Sequence, residues 1–111
     1  MSWPKKKNRY RGLDPSARAR FFRKYDGCCV WCGVPCPDYF ELDHLIPFGE
    51  DGGKKSRAYQ KTHHLIVLSC RSCNLLRRHL PVSIWLRWLK KRKTDMPALF
   101  TRLSARHQPL L

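Results

Sequence analysis

The sequence predicts a small α+β domain in which two short strands and a helix are tied by a structural metal and flanked by further helices. Three observations carry that expectation. Two C-x2-C pairs, Cys29-Val30-Trp31-Cys32 and Cys70-Arg71-Ser72-Cys73, stand 37 residues apart in a chain of 111 residues. Short strand-like runs adjoin both pairs, Tyr39 to Asp43 after the first and His64 to Ser69 before the second. Helical spacing of apolar residues, punctuated by proline and aspartate, lies outside them on either side. A chain this short buries a limited core, and a metal is a common supplement.

The elements follow in order. Residues 1–12 form a polar, basic arm. Asp14 is an N-cap and Pro15 a first helical residue, so a helix is expected to run to about Lys24 with Phe21, Phe22 and Tyr25 buried and Asp26-Gly27 ending it. The first cysteine pair follows, then the first strand. A loop carrying Pro47, Gly49, Gly52 and Gly53 leads to the second strand. The second cysteine pair opens a short helix, Ser72 to His79, stopped before Pro81. Beyond it Val82, Trp85, Leu86 and Leu89 recur at helical spacing, widened by Ile84 and Trp88, and a last helix is expected from about Ala98 to Arg106. The organisation is thus an arm at 1–12, a zinc-stabilised domain with its leading helix at 13–80, and a basic helical extension at 81–111.

Charge speaks to partners. Lys and Arg number 23 against 8 Asp and Glu, a net charge of +15. Aromatics interleave the basic runs, as in Arg9-Tyr10-Arg11 and Trp85-Leu86-Arg87-Trp88. That combination suits phosphate contacts beside base stacking, so nucleic acid is the expected partner. No apolar run approaches a membrane span, and the N-terminus carries no hydrophobic segment after its lysines, which sets an intracellular, reducing location as the expectation. In such a compartment cysteines are metal ligands before they are disulfides. Cys29, Cys32, Cys70 and Cys73 are therefore expected to hold a structural Zn2+, with Gly33 supplying the positive φ that such a turn often needs. Cys28 and Cys36 lack the x2 spacing and are taken as spare thiols.

The chemistry is expected around the stretch ELDHLIPFGEDGG, residues 41–53. Asp43 and His44 close the first strand, and Asn74 directly follows the second cysteine pair. If the zinc clamps both turns together, the Asp43 carboxylate, the Asn74 amide and the His44 imidazole meet at one point. Two oxygen ligands with open positions suit Mg2+ or Mn2+, and an imidazole beside them suits a general base for water attacking phosphorus. Neighbours on a strand point to opposite faces, so a shared site requires a break in the strand at this pair.

Cys29-x2-Cys32-Gly33, Leu42-Asp43-His44-Leu45-Ile46-Pro47, Gly52-Gly53 and Leu68-Ser69-Cys70-x2-Cys73-Asn74 with Arg77-Arg78 together resemble the zinc-containing HNH endonucleases over about residues 27–79. The resemblance implies a ββα-metal (His-Me finger) core, hydrolysis of DNA phosphodiester bonds and one catalytic divalent cation. By position His44 is similar to the general base, Asp43 and Asn74 to the ligands of Mg2+ or Mn2+, and the four cysteines to the structural zinc site. The middle asparagine of the family falls at Leu65 here; His64, one place earlier, is its candidate substitute if the strand carries a bulge, with His63 a weaker one. His79 and His107 are read as ordinary histidines. Arg77 stands where a basic residue often follows, and Arg78, Arg87, Lys90 and Lys91 join it as expected nucleic-acid contacts.

Small free-standing chains of this kind resemble phage or mobile-element nucleases. That implies a phage packaging or recombination partner, or a homodimer, and leaves a branched-DNA resolving enzyme open within the class. The competing expectation is a zinc-stabilised, non-catalytic DNA- or RNA-binding module.

Overall fold

The computed structural model describes residues 14–45 and 66–107, and every structural statement below concerns those residues. In chain order they form α1 (Pro15–Lys24), β1 (Glu41–His44), β2 (Ile66–Ser69), α2 (Arg71–Arg77), α3 (Val82–Lys91), α4 (Met96–Leu103) and a 3-10 turn (Ser104–His107). The architecture is α+β, with a two-stranded antiparallel sheet among helices.

Local chemistry sets the helix ends. Asp14 accepts from the Ala17 N–H at 2.7 Å, and Pro15 occupies the first turn, where its missing N–H costs nothing. Asp95 does the same for α4, accepting from Ala98 N–H at 3.1 Å. That cap starts α4 two residues before the expected Ala98, and the α-helix ends at Leu103, where the 3-10 turn takes over. For α2 the cap is Cys70, whose Sγ accepts from Cys73 N–H at 3.4 Å, so the second cysteine turn is itself the helix start.

β1 pairs with β2 in the register Glu41–Ser69, Leu42–Leu68, Asp43–Val67, His44–Ile66. Along β1 burial alternates, with Glu41 and Asp43 buried and Leu42 and His44 half-buried. Glu41 and Asp43 thus share one face and His44 stands on the other. The strand begins two residues later than expected and continues through His44.

One apolar core receives α1, the sheet and the C-terminal helices. Phe21, Tyr25, Trp31, Phe40, Val67 and Leu68 pack with Trp85, Leu89, Leu99 and Leu103. The Trp31 and Trp85 rings meet edge to face, 6.1 Å between centroids at 87°, an arrangement that the ring quadrupoles favour. Of the expected α1 residues Phe21 and Tyr25 are buried, while Phe22 packs only partly against the core. On α3, Trp85 and Leu89 are buried four residues apart, whereas Ile84 is exposed and Trp88 half-buried. Arg102 of α4 donates to the carbonyls of Val30 (3.0 Å) and Trp31 (3.3 Å), fastening the C-terminal helices to the first cysteine turn. Residues 81–107 are therefore part of the same packed unit as the sheet. The arm at 1–12, the Pro47–Gly53 loop, His63, His64 and Leu65 lie outside the described residues, as does the side chain of His107. No helix among the described residues is long and apolar enough to cross a membrane.

Candidate functional site

The sequence brings four cysteines to one place by two local devices. In the first turn the Gly33 N–H donates to the Cys29 carbonyl at 2.9 Å, with Gly33 at φ +80°, the left-handed value glycine tolerates best. The Cys29 N–H returns to the Val34 carbonyl, and the Val30 N–H reaches the Leu68 carbonyl of β2 at 2.8 Å. That last bond sets the first turn beside the strand leading into the second, where Cys70 and Cys73 open α2.

The four ligand atoms of Cys29, Cys32, Cys70 and Cys73 all lie within 4.8 Å of one another. Zn–S bonds of about 2.3 Å arranged tetrahedrally separate the sulfurs by roughly 3.8 Å. The Cys32–Cys70 sulfur distance is 3.8 Å, and all the cysteines are free thiols. The donor set thus fits zinc. Crowding bears on ionisation. The Cys29 thiolate accepts hydrogen bonds from the Cys32 and Cys73 thiols, which holds its pKa far below the ordinary value. For the same reason Cys32, as donor to Cys29, is pushed up to about 11, and Cys73 is raised further. Four thiolates at this spacing repel one another, and a dication removes that opposition.

Cys28 and Cys36 stand outside the group, as expected. Cys28 Sγ donates to the Asp26 carbonyl at 3.3 Å, and the Cys36 thiol is buried and pushed up to about 12, chiefly by desolvation. Replacing both by serine is expected to leave one zinc per chain, measured by metal analysis after dialysis. A loss of metal would show that one of them is a ligand.

The face of α2 turned to the sheet meets the inner face of β1 in matching steps. Asn74 Nδ2 donates to Glu41 Oε1 at 2.6 Å, and Arg77, one turn on, pairs with Asp43 Oδ2 at 3.0 Å. Glu41 also accepts from Tyr39 (2.7 Å) and from Arg71 (3.2 Å). Asp43 Oδ2 further accepts from Trp31 Nε1 at 2.9 Å. Burial raises the pKa of Asp43 more than Arg77 and the Trp31 N–H lower it.

Arg77 is completely buried. Besides Asp43 it donates to the carbonyls of His44 (3.0 Å), Leu45 (2.6 Å) and Leu80 (3.2 Å), and its guanidinium lies 5.3 Å from the Trp31 ring centre. This corrects its expected place among the nucleic-acid contacts, because a guanidinium with no exposed surface and four of its five N–H groups engaged reaches no phosphate. Arg78, Arg87, Lys90 and Lys91 are exposed.

The expected meeting of Asp43, His44 and Asn74 is also corrected. Asn74 is paired with Glu41, Asp43 is turned inward onto Arg77, and the strand does not break between 43 and 44. As placed, Asp43 and Asn74 do not form a shared site for Mg2+ or Mn2+. Among the described residues the four cysteines are the only group of three or more His, Cys, Asp or Glu able to hold a metal. Sequence reasoning missed Glu41 and Trp31. The signal for Glu41 was its i, i+2 relation to Asp43, which puts both carboxylates on one strand face. Trp31 gave none, because its bond to Asp43 depends on how the first turn lies against the sheet. Compared with protein-family models, curated proteins and solved structures, the chain matches none.

Proposed function

We propose that this chain is an HNH-type endonuclease that hydrolyses DNA phosphodiester bonds, by nicking or by cutting both strands, with His44 as the general base. The observation that carries the reading is the clamp on His44. The buried Arg77 bonds the Asp43 carboxylate and the carbonyls of His44 and Leu45 together, so the backbone bearing the imidazole is held rigidly at the exit of β1. A base fixed in this way needs little reorganisation before it accepts a proton from water. His44 is half-buried and alternates with the buried Asp43 along β1. Asp43 and Arg77 are then positioning residues. The order of the four sequence blocks and the charge of +15 support a DNA substrate. Because the donors of Asp43 and Asn74 do not converge, no step is drawn through a divalent cation.

The test is cleavage of supercoiled plasmid by the purified chain with Mg2+, Mn2+ or chelator, beside His44→Ala. Nicking or linearisation is expected, slower by about 10²-fold or more in the variant, with zinc content and melting unchanged, and the chelator arm reads whether a cation is needed. Equal rates in both proteins would remove His44 from the chemistry.

A second reading, a zinc-stabilised DNA- or RNA-binding module without catalysis, is favoured by the inward engagement of Asp43 and Asn74, which a purely structural role explains equally well. Salt-dependent binding with no cleavage under any cation would establish it.

A further inference from the structure

A groove of about 630 Å3 runs beside the end of α2 and is lined by Leu75, Leu76 and Leu80, by Trp88 of α3, and by Arg78 and His79. Leu75 and Leu76 are 57% and 51% exposed, adjacent apolar side chains that the core does not use. An exposed apolar patch with a polar rim marks a binding surface. Here the rim is cationic. Lys91 and Arg92 follow Trp88 by three and four residues and share its side of the chain, and the Arg92 guanidinium lies 4.6 Å over the Trp88 ring. Trp88 is in turn stacked on the buried Trp85, 5.1 Å between centroids at 15°, so it is a rigid wall. From Arg71 to Thr94 the chain carries eight Lys and Arg and no Asp or Glu.

An apolar floor inside a wholly basic rim complements a polyanion that also presents apolar faces. Duplex DNA keeps its base faces inside the stack, whereas a single strand exposes them to aromatic and aliphatic side chains. We propose that this groove is a single-strand site, in which an unpaired nucleobase enters against Leu75, Leu76 and Trp88 while the flanking phosphates meet Arg78 and Arg92. The inference rests on the nucleic-acid reading above and deepens it, since net charge alone makes no distinction between paired and unpaired strands.

The test compares binding of a short oligothymidylate and of a duplex of equal length, without added Mg2+ or Mn2+, to the wild type and to the double variant Leu75→Ser, Leu76→Ser. Both leucines are exposed and the change is neutral, so charge is kept; zinc content and melting check the fold. Affinity for the single strand is expected to fall about ten-fold, with the duplex affinity and the salt slope unchanged. An equal fall for both nucleic acids, or none for the single strand, overturns the groove while leaving the nucleic-acid reading intact. Binding to neither nucleic acid by the wild type overturns both. Loss of binding to phosphatidylserine vesicles, with oligonucleotide binding unchanged, would instead make the groove a membrane face.

Discussion

Replacing Cys70 by serine is expected to release the zinc and leave the chain without a cooperative melting transition. Cys70 serves two ends at once. Its sulfur belongs to the four-cysteine group and also caps α2 by accepting from the Cys73 N–H. A structural zinc contributes about 10–16 kcal/mol of apparent binding free energy in small domains. That is comparable to the whole stability of an ordinary domain, about 5–15 kcal/mol. The core around the site is short of compensating burial, since β1 and β2 have four residues each. Circular dichroism melts and metal analysis would read the result. A variant that loses zinc yet melts like the wild type would show that the apolar core suffices; one that retains zinc would remove Cys70 from the ligand set. Chelation of the wild type should reproduce the unfolding, and added zinc should reverse it.

Arg77→Leu is expected to destabilise the domain by about 3–5 kcal/mol, because removing one partner leaves the buried Asp43 uncompensated. Three carbonyls, those of His44, Leu45 and Leu80, lose a donor in the same step. Arg77→Lys should cost less, since the charge remains while the planar fork is lost. The pH dependence has a definite sign. Burial raises the folded-state pKa of Asp43 above its unfolded value. The stabilisation tied to its neutral form is therefore full below the unfolded value, about 3.9, and is lost as pH rises through the raised one. Without Arg77 the folded value rises further, so the gap between wild type and Arg77→Leu should be wider at pH 8 than at pH 6. Urea melts at both values, with zinc in the buffer, would measure it. A gap that does not change with pH would mean that Asp43 does not change its charge between the two values in either protein.

The parts legible in the sequence were those governed by near neighbours. Asp14-Pro15 and Asp95 start helices because an aspartate side chain reaches an N–H three residues on, and that reach is set by the chain alone. Gly33 after Cys32 closes the first cysteine turn because its φ is positive, again a local matter. The spacing of the cysteine pairs and the apolar runs beside them were enough to propose zinc between two strands and a helix. Ends of strands were less legible, since pairing with a distant partner, and not composition, decides where Glu41–His44 begins and stops.

The sequence by itself determined the cysteine frame, the helix starts, the excess of positive charge and the placing of Asp43 beside His44. Only the tertiary structure decided what those residues face. Arg77 reads as a surface arginine in the chain, yet α2 lies against β1 so that its guanidinium is enclosed and bound to Asp43 and three carbonyls. Asn74 reads as a partner for Asp43, yet the helical step of one turn against the two-residue step of the strand delivers it to Glu41. Leu75 and Leu76 stand exposed, because the opposite face of α2 is the one taken by the sheet. Each of these outcomes depends on the angle at which one element meets another, a quantity set by packing many side chains at once and carried by no short stretch of sequence.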